Sequence, residues 1–299
     1  MKRLMSCGQD VTEQRNQHSK DIDRIAIEKA VEIFIDEEVR GLKRILKEKK
    51  SIKNAIEAVV NTFKKRGRIF YIGAGTSGRL GVLDASEVPP TFGISAAKIQ
   101  AVMAGGRKAV FSSVERAEDD VKSAVETIRK RKISHKDMVI GISASGRTPF
   151  VISALREAKR CKANVWLIAF NKIKKPAFVD GLINAAAGPE ILTGSTRLKA
   201  GTATKVILNM ISTLSMVRLG KVYQNLMIDV KPTSKKLWKR AKNIIMEVTG
   251  TKEKEAEKLL QDSKGNAKAA VLMKMKGLSR SEAERLLRRH SGMLREALK

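Results

Sequence analysis

The stretch IFYIGAGTSG, residues 69–78, decides how the rest of the chain is read. An apolar run long enough for a buried strand leads straight into a G-x-G-x-x-G loop, and the residues after it open a helix from about position 77. A glycine-rich turn at a helix start presents free backbone amides, which attract an anion. The dinucleotide version of this turn also needs an acid about 20 residues further on, to hold the ribose hydroxyls. Between Glu87 and Glu115 there is no Asp or Glu, and the second strand, KIQAVMA (98–104), ends on Gly105-Gly106. A Walker loop fails as well, because Gly78 is followed by Arg79-Leu80 and not by Lys-Ser/Thr. The turn therefore reads as the holder of some other phosphate.

Working outward, the chain alternates. Strands are expected at 68–73, 98–104, 137–142, 164–170 and 181–186, with helices from about 77, at 107–131 and at 147–160. That rhythm implies an α/β fold of three layers, a parallel sheet flanked by helices. Ile22, Ile25, Ile33 and Ile35, then Leu42, Ile45 and Leu46, make residues 20–65 helical ahead of the first strand. Val206, Ile207, Met210, Ile211, Leu214 and Val217 recur at helical spacing, so residues 200–219 form a long buried helix whose methionines fill core. Beyond Pro232 the strand signals stop, and four short helices are expected over 233–249, 252–262, 266–276 and 280–290. The organisation read from this is an N-terminal helical segment (1–66), an α/β domain (67–232) and a small all-helical C-terminal module (233–299).

Composition narrows the class. With 299 residues, 42% of them apolar, the chain can fill a real core. No apolar stretch approaches the roughly 18 residues of a membrane span, and the start, MKRLMSCGQD, has no apolar block that would make a secretory signal. Cys7 and Cys161 give neither a disulfide framework nor a CxxC pair, which fits a reducing cytoplasm. The formal charge of +29 raises a nucleic-acid reading, but the excess is diffuse. Only 4% of residues are aromatic and no RNA- or DNA-binding motif is present, so no specific nucleic-acid partner is expected.

Three loops rich in glycine and hydroxyl side chains fall just past strand carboxyl ends, where open α/β sheets bind ligands: GAGTSGR (73–79), SASGRTP (143–149) and GSTRLKAGT (194–202). Hydroxyls and backbone amides of this kind can surround a phosphate monoester without a metal. Acids are scarce in the central region, so Asp84, Glu87 and the group Glu115, Glu118, Asp119 and Asp120 stand out. Pro89-Pro90 is expected to end the helix directly after Glu87 and to fix that carboxylate near the working edge of the sheet. Two carboxylates from different helices at one crevice suit proton transfer on a sugar, provided burial or a neighbour raises at least one pKa. The three histidines, His18, His135 and His290, form neither a triad nor a metal-ligand spacing.

These segments resemble one known family. YIGAGTSGRLGVLDASEVPPTFG (71–93), AGG (104–106), SVERAEDD (113–120), SASGRTPFVI (143–152) and LTGSTRLKAGTATK (192–205) are similar to the N-acetylmuramic acid 6-phosphate etherases. The likeness extends to TEQRNQHSKDID (12–23), GKVYQNLMIDV (220–230) and the helical tail ending SGMLREAL (291–298). It departs at Val88, where the family usually has Cys before the two prolines, at Gln17, where it has Pro, and at Gln224, where it has Gly. The resemblance implies a SIS (sugar isomerase) fold, a homodimer, and a carbon–oxygen lyase that cleaves a D-lactyl ether during cell-wall sugar recycling, with no cofactor and no metal. It implies Glu87 as proton donor and Glu115 as the second active-site carboxylate. Ser77, Ser143, Ser145, Gly146 and Thr148 are expected to hold the phosphate, with Ser195, Thr196 and Lys199 closing the site, some of them across the dimer. The alternative is a non-catalytic SIS-type sugar-phosphate sensor, which would keep the hydroxyl loops without needing the carboxylates.

Overall fold

The computed structural model describes residues 10–299, so Cys7 and the rest of the first nine residues lie outside it. The chain divides into two compact units, one of Met1–Ala85 with Ala97–Ile211 and the other of Ser86–Ala96 with Ser212–Lys299. The first unit opens with a strap of turns from Asp10, then two amphipathic helices, α1 (Ile27–Ile45) and α2 (Lys49–Lys64). Five strands follow: β1 (Ile69–Gly73), β2 (Ile99–Met103), β3 (Met138–Ile142), β4 (Asn164–Ala169) and β5 (Gly181–Asn184). They form one sheet in the order β2-β1-β3-β4-β5, and every pairing is parallel.

The strands are apolar along their length because both faces are covered. Residues of β1 and β3 are buried at every position. On one face Phe70, Ile72, Val139, Val165 and Leu167 pack with Phe150, Val151 and Leu155 of the helix α6 (Pro149–Arg160). Gly141 on β3 lets that helix approach, since a Cβ there would stand 2.7 Å from the side chains of Val151 and Leu155. Helix α3 (Gly75–Phe92) follows β1 and helix α7 (Lys199–Arg218) follows the third loop.

One expected element is broken. Instead of a single helix over 107–131, the chain makes α4 (Gly106–Phe111), an irregular segment, and α5 (Val121–Lys130). The Asp120 side chain accepts the amide of Ser123 and so starts α5 afresh. The interruption frees residues 112–120 to reach the sheet edge as a loop.

The second unit carries α8 (Lys235–Thr249), α9 (Glu253–Asp262), α10 (Ala267–Lys276), α11 (Arg280–Arg289) and α12 (Leu294–Leu298) around their own core. Ile245, Leu260, Val271 and Leu272 are fully buried in it, joined by Ile228 and Val230. Among the described residues no helix is long and apolar enough to cross a membrane.

Candidate active site

The strand order has its switch point between β1 and β3, and ligands of open parallel sheets bind outside the carboxyl ends of the strands at that point. The loops leaving β1 and β3 are the two glycine- and hydroxyl-rich segments. In the first, a Cβ on Gly73 would meet the Gly78 nitrogen at 2.6 Å, and one on Gly78 would meet the Gly73 carbonyl oxygen at 2.8 Å. The outer two glycines thus let strand and helix touch. Gly75 has a positive φ of 53°. Ser77 sits half-buried in the first turn of α3, among amides that have no partner further back in the helix.

The second loop is organised by its own hydroxyls. Ser143 Oγ lies 2.8 Å from Thr148 Oγ1 and 3.4 Å from Ser145 Oγ, and Ser145 Oγ accepts the Arg147 amide. Gly146 turns the chain with φ of 71°, where a Cβ would stand 2.5 Å from Ile173. Thr148 then caps α6, with Pro149 in the first helical position.

The third loop meets the first over Gly201. The Thr196 carbonyl oxygen and Thr76 Cγ2 lie 3.5 and 3.6 Å from where a Cβ of Gly201 would be. Ser195 and Thr196 are half-buried in tight turns that precede α7. Lys199 is placed differently from the other expected phosphate residues. Its ammonium is buried, donating to Glu37 Oε2 at 2.6 Å and to the Pro189 carbonyl at 3.0 Å, so its charge is already matched. The Glu190 carboxylate accepts the amides of Lys199 and Ala200 and starts α7; its burial pushes the carboxyl up. Glu37 also accepts from Asn16 at 2.7 Å and contacts His18 at 2.8 Å. Burial pushes against the charged form, but Lys199 and Asn16 outweigh it and hold Glu37 at about 2.

Sequence reasoning missed the strap that joins these loops. Thr12 donates its amide to Asn171 Oδ1, receives the Asn171 amide group on its hydroxyl, and gives its carbonyl to Gly194. Asp10 pairs with Arg147 of the second loop, and Ser19 Oγ donates to the Ile191 carbonyl. The signal that could have found the strap is a run of hydrogen-bonding side chains, TEQRNQHS, directly ahead of an amphipathic helix.

Of the two carboxylates, Glu115 lies beside the first loop. A cavity of about 250 Å³ is lined by Ala74, Gly75, Arg79, Met103, Ser113 and Glu115, among others. Arg79 holds the loop there, donating to the carbonyls of Val110 and Ser112 at 3.0 and 3.3 Å. Glu87 is exposed on α3. That helix does not stop at the prolines as expected: it continues through Pro89 and Pro90 to Phe92. The missing N–H groups fall in the last turn, Thr91 Oγ1 serves the Glu87 carbonyl at 2.7 Å, and Gly93 closes the end on Pro89. Both carboxylates are exposed in the single chain, so the burial expected to raise one of them is not supplied by it. Asp84 is buried, bonded to the Tyr71 hydroxyl at 3.0 Å and the Asn209 amide at 2.8 Å, which makes it a brace between β1, α3 and α7.

Comparison with known proteins decides between the readings of this edge. A protein named N-acetylmuramic acid 6-phosphate etherase from Geobacillus thermodenitrificans (strain NG80-2) is 44% identical over 289 residues, 96% of this chain and 98% of that one. One of the same name from Francisella tularensis subsp. novicida (strain U112) is 48% identical over 262 residues, 87% of this chain and 89% of that one. This chain belongs to the N-acetylmuramic acid 6-phosphate etherase family. The model of the glucokinase regulatory protein N-terminal SIS domain also matches, over residues 51–159. Among solved structures, a candidate phosphosugar isomerase involved in capsule formation from Bacteroides fragilis NCTC 9343 superposes with a TM-score of 0.52 at 16% identity, covering 67% of this chain and 95% of that one. The etherase relationship takes in nearly the whole chain, beyond the α/β core that the fold neighbour shares.

Proposed function

We propose that the chain cleaves the D-lactyl ether at C3 of N-acetylmuramic acid 6-phosphate, giving N-acetylglucosamine 6-phosphate and D-lactate in the recycling of cell-wall sugar. The observation that carries this reading is the near full-length kinship with proteins of that name, at 44–48% identity. The three hydroxyl loops supply its binding half. Ser77, Ser143, Ser145, Gly146 and Thr148, with Ser195 and Thr196, offer hydroxyls and amides to the phosphate. Lys199 acts from below, positioning the third loop through Glu37.

The chemistry suits two carboxylates. Ring opening exposes an aldehyde that acidifies the C2 proton; a carboxylate removes it, the C3–O bond breaks, and lactate leaves with a proton from the other acid. Water then adds at C3 and C2 is reprotonated. Elimination and hydration leave the oxidation level unchanged, so the reaction as proposed asks for no cofactor. Glu87 is assigned as the proton donor and Glu115 as the second carboxylate.

We also infer a homodimer working in the cytoplasm. An exposed apolar face on α1 supports the dimer, and two cysteines in 299 residues suit a reducing compartment. Incubation of the purified protein with the phosphorylated muramic sugar should release D-lactate. Glu87→Gln and Glu115→Gln should each lower turnover by about 10²–10⁴-fold. Sugar-phosphate binding without lactate would favour the sensor instead, and full turnover in both variants would remove the two residues from the mechanism.

A further inference from the structure

A second cavity, of about 730 Å³, lies between the N-terminal strap and α1, and the proposed reaction makes no use of it. Its floor is the buried pair of Lys199 and Glu37, braced by Asn16. Around that compensated floor stand Arg15 from the strap and Arg40 and Arg44 from α1, with Glu13 the remaining carboxylate of the lining. Arg40 is spent in part on Glu37, at 3.6 Å, and on the His18 ring. The exposed guanidinium groups of Arg15 and Arg44 have no ion pair or hydrogen bond among the described residues. Arg44 lies against the backbone of Gly188, where a Cβ would come within 2.6 Å of its Nη1. Gly188 itself has a positive φ of 96°.

We propose that this cavity is a second oxyanion site, separate from the hydroxyl loops, which takes a small carboxylate- or phosphate-bearing molecule between Arg15 and Arg44. Guanidinium groups bind carboxylate and phosphate through paired N–H donors, and three arginines against the single uncompensated carboxylate of Glu13 leave the lining net positive, which draws an anion in. The volume is within the range of small-molecule sites. Glu37, Arg40 and Arg44 follow one another at i, i+3 and i+7 on α1, a face roughly opposite the exposed apolar residues of the same helix, so a dimer contact through those residues leaves the cavity open.

The test titrates inorganic phosphate and D-lactate separately, by calorimetry at low ionic strength, into the full chain and three variants. Ser143→Ala with Ser145→Ala weakens the hydroxyl loops; Arg15→Ala with Arg44→Ala removes the unpaired cations; Arg15→Lys with Arg44→Lys keeps the charge without the fork. The alanine pair at the arginines should weaken binding of at least one anion about tenfold or more, the lysine pair less, while the serine variant retains that binding. Which anion responds identifies the ligand as a phosphate ester or a carboxylate. Unchanged affinity for both anions in the arginine variants, or no anion bound once the hydroxyl loops are weakened, overturns the proposal.

Discussion

Arg116 adopts φ 58° and ψ 2°, in the left-handed region, one residue after the carboxylate assigned to the reaction. A side chain with a Cβ pays about 1–2 kcal/mol there, and glycine pays part of that back through its freer unfolded chain. Arg116→Gly should therefore stabilise the protein slightly, raising the melting temperature by about 1–2 °C in calorimetry. In the same region Gly105→Ala should do the reverse. Its φ is 79°, and a Cβ would stand 3.0–3.2 Å from Ala109, Val114 and Ala117, so a loss of about 2 kcal/mol is expected, along with slower lactate release. The Lys199–Glu37 pair gives a pH-dependent prediction. Glu37 is held at about 2 in the fold against about 4.5 free, so its stabilisation is complete above pH 5 and is lost as the pH falls from about 4.5 towards 2. Lys199→Met leaves the carboxylate buried without its main cation, costing about 3 kcal/mol at pH 7. The deficit relative to wild type should shrink at pH 3, where Glu37 of the variant is protonated, and urea unfolding at the two pH values measures it. Little of this pair was legible in the sequence. The glycines and hydroxyls of the loops announce themselves because their neighbours in sequence are their neighbours in space, whereas Glu37 and Lys199 are 162 positions apart.

The strap shows the same limit one level up. Residues 20–65 read as helical, which α1 and α2 satisfy, but no periodicity marks a segment whose order comes from side-chain bonds to distant loops. Asn171, fully buried at the end of β4, is the principal anchor through Thr12. Asn171→Ala removes those bonds and leaves the Thr12 amide unpaired, a loss of about 1.5 kcal/mol confined to the strap. Trypsin should then cut after Arg15 about tenfold faster in native buffer, because cleavage follows the population of the opened strap. The helix limits carry a parallel lesson. Pro89-Pro90 looked like a stop signal, yet two missing N–H groups in a final turn cost little once Thr91 and Gly93 complete the end. The break before α5 could have been read from Asp120, whose carboxylate stands three residues ahead of the amide it caps.

At the scale of the molecule the sheet was legible, because strands buried on both faces are continuous apolar runs. The apolar periodicity of residues 20–65 marks the helix α1, but the single chain does not cover all of its apolar side chains. Ile27, Val31, Phe34, Ile35 and Val39 are 39–75% exposed, and Leu46 beyond the helix end is 74% exposed. Their spacing, close to i, i+4, i+7, i+8 and i+12, draws one stripe along the helix. A second copy of the chain, in the homodimer proposed above, would cover this stripe. Light scattering should find two chains per particle for the wild type and one for Val31→Asp with Ile35→Asp, since each aspartate would put an unpaired charge in the apolar seam. Two chains per particle for the double variant as well would exclude this face as the dimer seam.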